Sequence, residues 1–197
     1  MTDEHAPVSL TTAGGLTVAG DRAVPAAPRA AAVLCHPHPA YGGDRHNAVV
    51  DALFRALPGA GVAALRFDFG RGEEGAQVVA ALDDLAAAAP GVPLWLVGYS
   101  YGGDVALGVD DPRAAGWVAV APPLRFGGTP VPAGGDPRPV LLVVPEHDQY
   151  SPPETTAAAA AAWPDATVEV VPGADHFLAG AAGRVAATVA AWLGGGR

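Results

Sequence analysis

Gly98-Tyr99-Ser100-Tyr101-Gly102 is the segment whose residue types and spacing most plainly allow chemistry. It closes an apolar strand-like run, Pro93–Gly98, and opens a short helical one, Tyr101–Val109. A serine at such a strand-to-helix turn is held with its hydroxyl above the sheet edge, and flanking glycines keep Cβ atoms out of the bend. With 26 glycines in the chain, this pattern is expected by accident only about 0.05 times. Ser100 is therefore the candidate nucleophile.

A serine hydroxyl needs a neighbouring base to take its proton. Only His147 and His176 follow Ser100. His176 lies in the loop after the last predicted strand and is the expected general base. Asp148, in the loop after the preceding strand, is the expected acid that orients it, and the order Ser, Asp, His suits this turn. Glu146 competes with Asp148 for that role. Asp175 reads mainly as a loop-structuring carboxylate, and His147 as a neighbour of the site or a surface residue.

Cys35-His36-Pro37-His38-Pro39-Ala40-Tyr41-Gly42-Gly43 follows an earlier strand. A tetrahedral intermediate needs two backbone donors, and the first is the N–H after the nucleophile, here that of Tyr101. Proline has no N–H, so within this loop the His38 amide is the expected second donor. His36, His38, Asp44 and His46 raise the possibility of a metal site. However, the prolines hold both leading histidines extended, and no familiar ligand spacing is present. No metal or other cofactor is expected. His36 is read as stitching the loop together, Arg66 and Asp68 as a structural ion pair at the sheet edge, and Cys35 as a buried, inert thiol.

Strands and helices must alternate to position these groups. Val8–Thr12 and Leu16–Val18 suggest a hairpin around Gly14-Gly15, and residues 22–29 a surface connection. Ala31–Cys35, Gly61–Phe69, Pro93–Gly98, Trp117–Val120, Val140–Val144 and Thr167–Val171 read as strands. Between them fall helical faces: Val50, Leu53, Phe54 and Leu57, then Val78, Leu82 and Leu85, and at the end Val185, Val189, Trp192 and Leu193. Ser151 and Glu154 stand at capping-box spacing around Pro152-Pro153, predicting a helix start there. The alternation implies a single α/β domain over residues 1–197, with a doubly wound, mostly parallel sheet and helices on both faces. Residues 1–7 are expected to be flexible.

Composition narrows the setting. The formal charge is −9 and all eleven basic residues are arginine, which disfavours nucleic acid and anionic membrane surfaces. No apolar run reaches the roughly 18–20 residues of a membrane span, and the N-terminus does not read as a signal peptide. One cysteine excludes an internal disulfide framework. A cytoplasmic protein is the expectation; its oligomeric state is left open.

The nucleophile turn, the Arg66–Gly70 segment, Asp148 and His176 resemble the α/β-hydrolase superfamily. His36-Pro37-His38-Pro39, Gly42-Gly43 and Asn47 resemble a compact subgroup related to dienelactone hydrolases and small serine esterases. Two departures are visible. Phe69-Gly70-Arg71-Gly72 is a shifted form of the usual Phe-Arg-Gly, and Pro145 stands where relatives carry glycine. Larger relatives insert a helical lid between the Trp117 and Val140 strands. Here that interval, residues 122–138, has 17 residues with five prolines and four glycines, too short and broken for a lid.

The resemblance thus implies an open cleft, with Tyr41, Tyr99, Tyr101, Phe126, Tyr150 and Phe177 as candidate substrate contacts. The implied activity is hydrolysis of small or short-acyl carboxylic esters through an acyl-serine, with a small-molecule ester as partner. A thioesterase or acyltransferase with the same triad is the alternative within enzymes, and a non-catalytic ligand-binding module the alternative outside them.

Overall fold

The computed structural model describes residues 5–124 and 131–195. Eight strands form one sheet: β1 (Ala6–Thr11), β2 (Thr17–Ala23), β3 (Ala30–Cys35), β4 (Val62–Phe67), β5 (Leu94–Tyr99), β6 (Ala114–Val120), β7 (Val140–His147) and β8 (Ala166–Asp175). Their spatial order is β1-β2-β4-β3-β5-β6-β7-β8. Only the β1–β2 and β2–β4 pairings are antiparallel; the rest are parallel. The expected doubly wound architecture is what is observed.

Helices α1 (Ala48–Ala56), α2 (Glu74–Ala88), α3 (Tyr101–Gly108), α4 (Pro132–Gly135), α5 (Pro153–Ala160) and α6 (Ala182–Gly194) complete the described fold. α1 and α6 bury Leu53, Phe54, Val185 and Val189 on one sheet face with Leu34, Val97 and Val143. α2 and α3 bury Val78, Leu82 and Leu107 on the other with Val33, Leu96 and Leu142. β3, β4 and β5 are buried along their whole length, which explains their unbroken apolar runs.

Several boundaries differ from the sequence reading. β1 starts at Ala6, so residues 6 and 7, expected to be flexible, are paired with Arg22 and Asp21. β2 runs to Ala23 because Gly20–Ala23 pair with β4, which consumes part of the expected connection. The polar pair Asp21-Arg22 concealed this extension. The capping box at Ser151 is not formed. α5 begins after Pro152 without a side-chain cap, and the Ser151 hydroxyl instead donates to the Pro123 carbonyl at 3.2 Å. Between β6 and β7 the described residues hold one helical turn, α4.

Arg66 and Asp68 do not pair with each other. The Arg66 guanidinium, 5% exposed, donates to Asp21 (3.0 Å) and Asp51 (2.8 Å) and lies 4.3 Å above the Phe54 ring. Alternation along β4 puts Arg66 on the α1 face, whereas Asp68, past the strand end, meets Arg45. Burial pushes the Asp21 and Asp51 carboxyls up, but the arginine hydrogen bonds and charges outweigh it, so both sit below the ordinary carboxylate range. Their ionisation therefore stabilises the fold at neutral pH, and this contribution fades as pH falls below about 4. Arg66→Ala is expected to lower stability by about 2 kcal/mol at pH 7, because it removes the buried one of the two arginines bonded to each carboxylate and leaves Asp21 with Arg45 alone and Asp51 with Arg55 alone. Urea unfolding should show that loss shrinking toward pH 3.

Candidate active site

β5 delivers Ser100 onto a strained turn. Its backbone has φ 53° and ψ −122°, and its N–H donates to the Val120 carbonyl at 2.8 Å. The chain can bend this sharply only where flanking side chains are absent. A Cβ on Gly98 would stand 2.0 Å from the Gly102 carbonyl oxygen, and one on Gly102 would stand 2.3 Å from that of Cys35. The serine then opens α3, and the Gly103 and Asp104 amides donate to its carbonyl.

The register of β7 and β8 brings the other two groups together. His147 is paired with Asp175 across the sheet, so the next residue of each strand, Asp148 and His176, emerge side by side. The His176 Nδ1 lies 2.9 Å from Asp148 Oδ2, and its Nε2 lies 2.9 Å from Ser100 Oγ. With a proton on Nδ1 facing the carboxylate, Nε2 accepts from the serine hydroxyl. Asp148 is fully buried at its side chain and also accepts from the Tyr150 and Ser151 amides at 2.8 and 3.1 Å. Burial raises its pKa, but the His176 bond and the two amides outweigh that effect and hold it below the usual range.

Glu146, the rival carboxylate, points elsewhere and accepts from the Gly173 amide at 2.7 Å. Asp175 accepts from the Phe177 amide at 3.1 Å, ordering the loop that carries His176. His147 is exposed, 3.9 Å from Glu146.

The 36–47 loop is held at both ends. Since the Phe69 amide must donate, His36 Nε2 accepts it at 2.9 Å and Nδ1–H donates to the Pro37 carbonyl at 2.6 Å. Burial lowers the His36 pKa, so this neutral tautomer is the one favoured. At the far end the Arg45 amide and guanidinium both bind Asp68. In between, the Tyr41 and Gly43 amides donate to the His38 carbonyl, and a Cβ on Gly43 would fall 2.1 Å from the Pro37 oxygen. His38 Nδ1 accepts from the Ala40 amide at 3.1 Å, and its ring packs 4.5 Å from that of Tyr101. The imidazoles of His36 and His38 are thus engaged in holding backbone. Among the described residues no His/Cys/Asp/Glu group could hold a metal ion. Cys35 is buried, with its thiol pushed up to about 12 by burial.

These elements border a cleft of about 650 Å³ lined by Ser100, His176, His38, Asn47 and all four tyrosines of the chain. Tyr41, Tyr150 and Phe177 are its exposed rim. Tyr99 and Tyr101 are different. The Tyr99 ring is buried and its hydroxyl donates to the His176 carbonyl at 2.9 Å. Tyr101 bonds to Glu74; burial, then that carboxylate, push its phenol up to about 12. Phe126 lies outside the described residues. Sequence reasoning missed Gln77, fully buried, which receives the Gly70 amide at 2.8 Å and returns a bond to the Gly70 carbonyl. A glutamine inside an otherwise apolar helical face was the available signal.

Solved structures share this architecture. An α/β serine hydrolase homologue from Coxiella burnetii is 26% identical, with a TM-score of 0.84 over 98% of both chains. An α/β serine hydrolase without lid from Xanthomonas campestris is 24% identical, with a TM-score of 0.79 over 98% of this chain and 97% of that one. An esterase domain from Rhodothermus marinus is 22% identical, with a TM-score of 0.76 over 97% of this chain and 98% of that one. No protein-family model matches the sequence, and the search of curated proteins found no match. The chain has the α/β-hydrolase fold in one open sheet, and among the described residues there is no lid domain. Among the described residues no helix is long and apolar enough to cross a membrane.

The Tyr99 hydroxyl is the side-chain tie between the strand carrying Ser100 and the His176 backbone. Tyr99→Phe keeps the packing but leaves a buried carbonyl without its donor. It should cost about 1–2 kcal/mol in chemical denaturation, where an exposed tyrosine would cost nothing measurable.

Proposed function

We propose that this chain, whose fold is that of the α/β hydrolases, is a serine hydrolase that cleaves carboxylic esters of small or short acyl groups. The observation that carries the reading is the unbroken hydrogen-bond chain from Ser100 through His176 to Asp148 at the floor of an open cleft.

In the reading proposed, His176 Nε2 takes the Ser100 proton as Oγ attacks the ester carbonyl carbon. The developing oxyanion is met by the Tyr101 and His38 amides. Tyr101 is the first residue of α3, and its N–H has no partner within the helix. Imidazolium then gives its proton to the leaving alcohol oxygen, and an acyl-serine remains. Water attacks that ester by the same route and releases the acid. Asp148 keeps the proton on Nδ1 and stabilises the imidazolium. The substrate is a small molecule; a charge of −9 opposes nucleic acid as a partner. A single buried Cys35 suits the reducing cytoplasm expected from the sequence.

Fluorophosphonate should label the purified protein and not Ser100→Ala; absence of labelling in both would favour a binding module. Short nitrophenyl esters should be turned over faster than long-chain ones and faster than acyl-thioesters of equal length. Asp148→Asn should lower kcat on the order of 10⁴-fold while leaving the fold intact. Because Asp148 is held below the usual carboxylate range, it stays ionised between pH 7 and 5. Any acid limb of kcat/KM in that window should therefore carry no contribution from this carboxylate and be no steeper than unit slope. A slope of two would show that the carboxylate titrates as well.

A further inference from the structure

Among the described residues few large apolar side chains are exposed, and most of them cluster. Of the five exposed ones among the described residues, Tyr41, Tyr150 and Phe177 rim the cleft. Tyr150 and Phe177 approach the same group. The Tyr150 ring meets that of His176 edge-on at 4.6 Å and 71°, and the Phe177 ring meets it at 5.8 Å and 87°. Packing on the imidazole does not use up either ring, since 48% of Tyr150 and 62% of Phe177 remain open to solvent.

Their position relative to the chemistry says which part of a substrate they meet. The proton on His176 Nε2 must pass to the leaving oxygen, so that oxygen lies within hydrogen-bond reach of the imidazole. Whatever is attached to it extends past the rings beside His176. The acyl oxygen instead faces the Tyr101 and His38 amides. Two rings set nearly perpendicular to the imidazole present faces and edges to a flat group far better than to a puckered one.

We propose that Tyr150 and Phe177 form a leaving-group subsite selective for alcohols bearing an aromatic ring. The substrates are then aryl or arylmethyl esters of small acids. The inference rests on the esterase reading above and adds the alcohol's chemical class to it.

Benzyl acetate and cyclohexylmethyl acetate test it, because they share the acyl group, similar bulk and a primary aliphatic alcohol as leaving group. The protein should hydrolyse the benzyl ester with roughly five-fold higher kcat/KM, most of it in KM. In the Tyr150→Leu/Phe177→Leu double variant the ratio should fall close to one, while Tyr150→Phe should preserve it. Comparing two esters within one variant cancels any general effect of disturbing His176. A ratio near one in the wild type, or an unchanged ratio in the double variant, would overturn the subsite even though Ser100 still labels with fluorophosphonate. Hydrolysis of neither ester together with no labelling would overturn the esterase reading and the subsite with it.

Discussion

Ser100 occupies a backbone conformation that an L-residue adopts only under compulsion, and holding it there costs on the order of 1–3 kcal/mol. The compulsion comes from three sides. β5 is tied into the sheet between β3 and β6 and pulls the chain in one direction. α3 must start at once so that its apolar residues reach the core. The carbonyls of Cys35 and Gly102 then crowd the turn so closely that only hydrogen can stand at Gly98 and Gly102. Relaxing Ser100 would mean withdrawing either the strand or the helix from a buried layer. The strain persists because the core is worth more than the turn.

The remaining polar groups inherit their places from the same sheet. Parallel pairing sets strand ends level, so residues that leave the sheet at the carboxyl edge meet there however far apart they lie in sequence. Asp148 and His176 meet because His147 pairs with Asp175. The hydroxyl of Tyr99, one residue before the serine, then reaches the His176 carbonyl. The loop bearing His38 lacks such regular support and is fastened by side chains instead, through His36 to Phe69 and Arg45 to Asp68. Its histidines thus serve backbone geometry, which explains why a cluster that looks like metal ligands holds its rings apart.

The local features were legible where one residue type had one physical use. The glycine-flanked serine, the apolar strand runs and the order Ser, Asp, His could be read directly. Failures arose where a side chain's or strand's partner left no mark on the local pattern. The pairing of β2 with β4 was hidden behind Asp21-Arg22, because nothing local indicates that their backbone joins a sheet while Asp21 receives Arg66. Ser151 and Glu154 had capping-box spacing, but Pro123 and Asp148 offered Ser151 other bonds. Tyr99 lines the cleft with the other tyrosines, but nothing local announces that its hydroxyl also bonds the His176 carbonyl. Gln77 was overlooked because its partner, Gly70, presents only backbone.

The openness of the cleft constrains how such a site can work. An enzyme with a closing lid can expel water and so strengthen every electrostatic interaction inside. Among the described residues nothing covers the Ser100 side of the cleft, and in the proposed reaction stabilisation of a developing charge would come from dipoles that need no reorganisation. The Tyr101 amide qualifies, since it is fixed at the N-terminus of α3, where unpaired N–H groups favour negative charge. The proposed acid–base pair lies in the opposite environment. His176 is 7% exposed at its side chain and Asp148 is sealed, so the imidazolium–carboxylate attraction is shielded from solvent. Burying a carboxylate this deeply is tolerable because three donors surround it: the imidazole and the amides of Tyr150 and Ser151. Removing any of them would raise the Asp148 pKa and weaken its hold on the imidazole tautomer. On the proposed reading, the dry, low-dielectric region lies behind the histidine and the ester-binding face is left to fixed backbone donors.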